Sequence, residues 1–202
     1  METYISARKK TSARIRAAFW MLYKTMPIEK ITIKMITEGS GIHRVTFYIH
    51  YTDIYAVLED IEKELLKSLE LLDGFEYTTT EDLNDYAKKL YSIYQKDKAY
   101  LHLLVIENRH PEFSHNYKVK LKDTFPKLFL DTNISSKSSE AVDMMTLVFV
   151  DILLRWADKD MFSIDEIIQL TEGIMLDGIY PTLIHYFKIE PATKKIKMLQ
   201  NK

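Results

Sequence analysis

Gly39-Ser40-Gly41 separates two short apolar-periodic segments within residues 31–58, ITIKMITEGSGIHRVTFYIHYTDIYAVL. A tight corner between two helices needs a left-handed backbone, and glycine adopts it without steric cost. Upstream, Ile33 and Ile36 sit on one helix face, and Thr32 is placed to cap that helix. Downstream, Ile42, Phe47 and Tyr51 form the expected buried set of a helix over about 42–50. Asp53 then caps a long helix from Ile54 to about Leu72, with Val57, Leu58, Ile61, Leu65 and Leu69 along one side. The stretch predicts a short helix, a turn, a second short helix and a long one.

The rest of the chain reads as helix as well. Five Gly and five Pro among 202 residues argue for long helices over a loop-rich β-protein. Residues 11–26 repeat apolar side chains at Ile15, Ala18, Phe19, Leu22 and Met26, with Thr11 or Ser12 as cap and Pro27 as terminator. Beyond a break at Asp73-Gly74 and Thr78-Thr79-Thr80, the pattern predicts helices over about 81–95 and 97–108. A break at Arg109-His110-Pro111 follows, then a helix striped with Phe113, Tyr117, Leu121, Phe125 and Phe129 that stops or kinks at Pro126. A polar loop is expected over 131–138, then helices over 139–158 and 163–187. Ser163 and Glu166 form a capping box for the last, and Pro181 bends it. The fold class expected is all-α. Its domains are a head over 1–52 that carries the start of a connecting helix over 53–72, a helical body over 73–187 and a basic tail over 188–202.

Charge divides along the same lines. Residues 1–52 carry a net charge of +6, residues 53–187 carry −11, and the tail 188–202 carries +4. A basic head on an acidic body suits a polyanion partner at the head. The same cluster also arises as an ordinary solvated face.

Three helices with a short turn between the second and third make a helix-turn-helix, whose third helix can enter a major groove about 12 Å wide. Its first turns carry His43, Arg44, Val45 and Thr46. Arg44 can pair with a guanine edge, and Val45 or Thr46 can touch a thymine methyl. Thr32, Lys34, Tyr48, His50, Thr52 and the Arg8-Lys9-Lys10 arm are candidates for phosphate contact, which sets register without reading sequence. The same geometry occurs in plain helical bundles, where His43 and His50 would be surface histidines and Tyr48 a packing residue.

Residues 31–58 resemble the N-terminal DNA-binding domain of TetR/AcrR-type transcriptional regulators. The resemblance rests on Thr32, Ser40-Gly41-Ile42-His43, Thr46-Phe47-Tyr48 and His50-Tyr51. Three positions depart from the family pattern. Thr37 replaces a small Ala, His43 replaces a capping Ser, and Ile54 replaces a Lys that commonly meets a phosphate. Arg14, Lys34 and the N-terminal arm are the candidates to replace that last contact. A looser resemblance to the ligand-binding and dimerisation domain of one subgroup covers Glu107–Phe113, Arg155-Trp156 and Ser163–Ile168. That subgroup contains both repressors and co-activators.

The resemblance implies a homodimer on a double-stranded DNA operator, controlled by a ligand on the body. It also implies that the last two helices of each subunit pack against their counterparts. Met145, Phe149, Ile152, Trp156, Ile167, Ile174, Met175 and Ile179 exceed what one bundle of this size needs to cover, and are the expected interface; the alternative is intrachain core. Tyr86, Leu90, Tyr94, Leu103, Leu104, Phe113, Tyr117, Leu121 and Phe125 are candidates to line a pocket for a small apolar or aromatic ligand, or to be plain core. A second reading keeps a dimeric helical co-activator or protein-interaction module with weak or no specific DNA binding.

The absence of Cys excludes disulfides, thiolate metal sites and cysteine nucleophiles. His102, Glu107, His110 and His115 have poor ligand spacing, so no metal or cofactor is expected. No Gly-rich phosphate loop, GxSxG or HExxH occurs, and no enzyme is expected. No stretch approaches the ~20 apolar residues of a membrane span. A cytoplasmic protein with no membrane partner is expected.

Overall fold

The computed structural model describes residues 2–73, 80–124, 136–160, 162–173 and 178. Phe125, Phe129, Ile174, Met175, Ile179, Pro181 and the basic tail lie outside the described residues, as does most of the break expected between 73 and 80. Among the described residues there are eight α-helices and no strand. The helices are α1 (Glu2–Tyr23), α2 (Ile33–Ser40), α3 (Arg44–His50), α4 (Ile54–Ser68), α5 (Thr80–Leu101), α6 (Pro111–Thr124), α7 (Ser136–Lys159) and α8 (Ile164–Gly173). No described helix is long and apolar enough to cross a membrane.

The chain forms two compact units that divide between Leu65 and Leu66, inside α4. That division falls within the connecting helix whose start was expected to go with the head. Asp60 of α4 accepts a 2.7 Å hydrogen bond from the Tyr51 hydroxyl and lies 3.5 Å from the Arg16 guanidinium. Those contacts tie the start of α4 to the first unit.

In that unit α1 packs on α2, and α2 on α3. Ile15, Phe19, Ile36, Phe47 and Val57 are completely buried. Phe19 stacks on Tyr23, and Phe47 meets Tyr48 edge to face and Tyr51 at a tilt. The first helix is longer than its apolar stripe suggests. It takes in Arg8-Lys9-Lys10, so these residues are a turn of helix and not an extended arm. Neither Thr11 nor Ser12 caps it: the Thr11 hydroxyl donates back to the Ala7 carbonyl at 3.1 Å, a bond internal to the helix.

In the second unit α5 and α6 pack on either side of a π-helical turn, His102–Ile106, and both pack on α7; α8 packs on α5 and α7. The helices expected over 81–95 and 97–108 are one helix through Leu101. No Gly or Pro interrupts it, and Asp97, where the second was expected to begin, is a half-buried position within it. The wider π turn places Leu103, Leu104 and Val105 all in the interior. It closes with a Glu107 amide bond to the His102 carbonyl at 2.8 Å, and Asn108 turns the chain with φ 55°. Pro111 then opens α6, where its missing N–H costs nothing. At α8, the Glu166 carboxylate accepts from the Ser163 amide at 2.7 Å, and the Glu166 amide donates to the Ser163 hydroxyl at 3.3 Å, which completes the capping box.

Candidate nucleic-acid interface

The α2–α3 corner is built from local signals. The Thr32 hydroxyl accepts from the Met35 amide at 3.3 Å and starts α2. Gly41 ends it in the left-handed region, φ 62°, where an L side chain is strained. The Ser40 hydroxyl donates to the Ile36 carbonyl at 2.7 Å inside the core. Thr37, found where the family carries Ala, is buried and donates its hydroxyl to the Lys34 carbonyl at 2.9 Å. That bond is what allows a polar side chain at this position.

One brace could not be read from the sequence. Arg14 of α1 reaches the corner and donates from Nη2 to the Ser40 carbonyl at 2.6 Å and to the Gly41 carbonyl at 3.1 Å. It satisfies carbonyls at the negative end of α2. Arg14, a candidate replacement phosphate contact, is thus also a structural cation of the turn.

His43 caps α3 only with its backbone; its side chain makes no cap bond, as expected of a poor capping residue. Phe47 anchors α3 inward, and the opposite side is open. Val45 is 74% exposed, Ile49 61% and Tyr48 48%. Arg44 shares this face. Its Nη2 donates to the Tyr48 hydroxyl at 3.1 Å, and its guanidinium carbon lies 5.6 Å from the Tyr48 ring centre. The pair sits at i,i+4 and holds the guanidinium along the helix surface. Thr46 is half-buried beside it, and His43 is exposed.

The flanking candidates divide. Lys34 and Thr32 are exposed on α2, with Lys34 Nζ 3.8 Å from Glu38 across one turn. Thr52 is exposed ahead of α4, whose Ala56 amide donates to Asp53 Oδ1 at 2.9 Å as expected of a cap. His50 turns toward α1: its Nδ1 lies 2.9 Å from the Ser12 hydroxyl. Burial, and then the charge of Arg8, lower its pKa from 6.5. Ile54, where the family carries Lys, is half-buried. Ile49 was missed by the sequence reading; its one signal was the four-residue interval from Val45.

In the second unit, the described candidate pocket residues lie in the interior. Tyr86, Tyr94, Leu103, Leu104, Phe113, Tyr117 and Leu121 are buried, and Leu90 is half-buried. The Tyr94 hydroxyl donates to the buried Asp158 carboxylate at 2.9 Å. His102 Nδ1 lies 2.9 Å from the same carboxylate, and its Nε2 lies 3.2 Å from Glu107. Tyr86 faces the Thr124 hydroxyl at 2.9 Å; burial pushes its phenol up to about 12. Burial, and then Asp158, raise Tyr94 further.

The expected interface residues also divide. Phe149 and Ile167 are 2% and 7% exposed within the single chain, so they are interior side chains. Met145, Ile152 and Trp156 are half-buried. Met144 and Val148, not singled out by sequence, are 61% and 59% exposed. With Ile152 and Trp156 they form one i,i+4 row along α7.

No family model matches the chain. Over 78 residues, 38% of this chain, the sequence is 30% identical to YxbF of Bacillus subtilis (strain 168), an uncharacterized HTH-type transcriptional regulator. That match spans 20% of YxbF's own length. Among solved structures, the chain is similar to NalD, the secondary repressor of the MexAB-OprM multidrug efflux pump in Pseudomonas aeruginosa. The two are 17% identical, with a TM-score of 0.55 over 85% of this chain and 97% of NalD. At that level the likeness establishes architecture: this chain carries the all-α fold of NalD.

Proposed function

We propose that the protein is a TetR-type transcriptional regulator, a repressor that binds a DNA operator as a homodimer. The observation that carries this reading is the open face of α3. Arg44, Val45, Tyr48 and Ile49 project from a helix fixed behind by Phe47 and by the braced Gly41 corner. Residues 1–52 supply the positive charge a duplex attracts. The fold shared with a repressor supports the role, as does the match to an HTH-type regulator.

The second copy docks on the open row of α7, Met144, Val148, Ile152 and Trp156, with Met145 at its edge. A two-fold dimer presents its two α3 helices to half-sites about 34–36 Å apart. A small apolar or aromatic ligand in the Tyr86–Tyr94–Phe113–Tyr117 interior shifts the spacing of the heads and releases the operator.

A gel shift with the DNA upstream of the protein's own gene tests this. A discrete complex at physiological salt, resistant to non-specific competitor and weakening steeply with added salt, is expected. Binding no tighter than to random duplex would leave the interaction-module reading, which the half-buried Ile54 in place of a phosphate-binding Lys favours.

A further inference from the structure

The chemistry of the open α3 face specifies the kind of DNA sequence it recognises. A large apolar side chain exposed to water marks a contact surface when several cluster. Val45 and Ile49 cluster: they are 74% and 61% exposed, one helical turn apart, on a helix of seven residues. Phe47 lies on the other side and holds the helix, so neither residue is needed for the head's own core. The only arginine of the helix, Arg44, is held beside them by the Tyr48 hydroxyl and ring. Beside that guanidinium, the most exposed large apolar side chains of the helix are both branched aliphatic.

In the major groove the apolar feature of a base edge is the C5 methyl of thymine. Residues four apart rise about 6 Å along a helix axis. Base pairs rise about 3.4 Å each. A helix lying along the groove thus sets Val45 and Ile49 about two base-pair steps apart.

Resting on the DNA-reading assignment above, we infer that, beside the Arg44 contact, α3 recognises two thymine methyl groups in each half-site about two base-pair steps apart, one packed on Val45 and the other on Ile49. The basic head supplies the charge complementarity that selects a duplex over an apolar protein partner.

The experiment enriches random-sequence duplexes on the full-length protein at physiological salt. The enriched sequence is then resynthesised with deoxyuridine, which lacks only the methyl, in place of each thymidine in turn. Each half-site is expected to contain two T·A pairs at that spacing, and uracil at either should weaken binding about fourfold, the worth of one buried methyl. Val45→Ala should abolish the uracil penalty at one position, and Ile49→Ala at the other. Uracil duplexes bound as tightly as thymine ones would overturn the inference. So would half-sites without such a pair, or variants that keep both penalties, even with specific DNA binding intact. If no sequence is enriched, the DNA-reading assignment falls, and this inference with it.

Discussion

The Arg14 guanidinium donates to the Ser40 carbonyl at 2.6 Å, joining the first helix to the corner that sets the direction of α3. Its second bond, 3.1 Å to the Gly41 carbonyl, places Nη2 only 3.2 Å from where a Cβ on Gly41 would stand. The turn and its brace therefore depend on each other.

Arg14→Ala should destabilise the head by about 1–2 kcal/mol, the worth of a charge-assisted hydrogen bond at a helix end. Gly41→Ala should cost a similar ~1–2 kcal/mol, from left-handed strain added to displacement of the arginine. Urea denaturation followed by circular dichroism measures both. A double variant that loses less than the sum of the two would show the coupling directly.

His50 gives the head a pH dependence of known sign. Its pKa is lowered in the folded state from 6.5, first by burial and then by Arg8. The unfolded chain therefore binds more protons in the window between the lowered value and 6.5. The contribution is fully present above that window and is lost as pH falls through it. The wild-type urea midpoint should drop between pH 7.5 and 5.5, and His50→Gln should flatten that drop. An equal drop in both proteins would remove His50 as the cause.

On α7, substitutions at two adjacent positions should act differently. Val148→Asp places a charge on a side chain that is 59% exposed in the single chain. It should leave the monomer folded, shift the protein to half its mass in sedimentation and weaken DNA binding. Phe149→Ala removes a ring that is 2% exposed. It should instead cost about 3–5 kcal/mol of stability through the cavity it leaves. A dimer unaffected by Val148→Asp would place the interface elsewhere.

Tyr48→Phe separates two contributions to the placing of Arg44. The ring contact at 5.6 Å remains, and the hydroxyl bond at 3.1 Å is lost. Operator affinity should fall less than for Arg44→Ala, with sequence preference kept. Equal losses in a competition assay would mean that the hydroxyl alone places the guanidinium.

Features fixed within a few residues were legible in the sequence. The Thr32 and Asp53 caps, the Gly41 turn, the Ser163–Glu166 box and the buried side of α4 all follow from spacing and side-chain chemistry. Features that depend on what packs from elsewhere in the chain were not. Nothing near Arg14 says that it turns onto a carbonyl 26 positions away, or that His50 faces Ser12. Periodicity also marks an apolar face without saying what covers it. Phe149 reads as an interface residue yet is interior, while Met144, which the pattern did not single out, is open. The break expected between 95 and 97 is absent, since no Gly or Pro stands there to interrupt the helix.

The most direct measurement of the central claim is the ratio of operator to random-duplex affinity for the wild type and for Arg44→Ala, taken by fluorescence anisotropy at one physiological salt concentration. If α3 reads sequence, the variant should lose about 1–3 kcal/mol of that discrimination while binding random duplex almost as before. An unchanged ratio, or a wild type that does not distinguish the two duplexes, would contradict it.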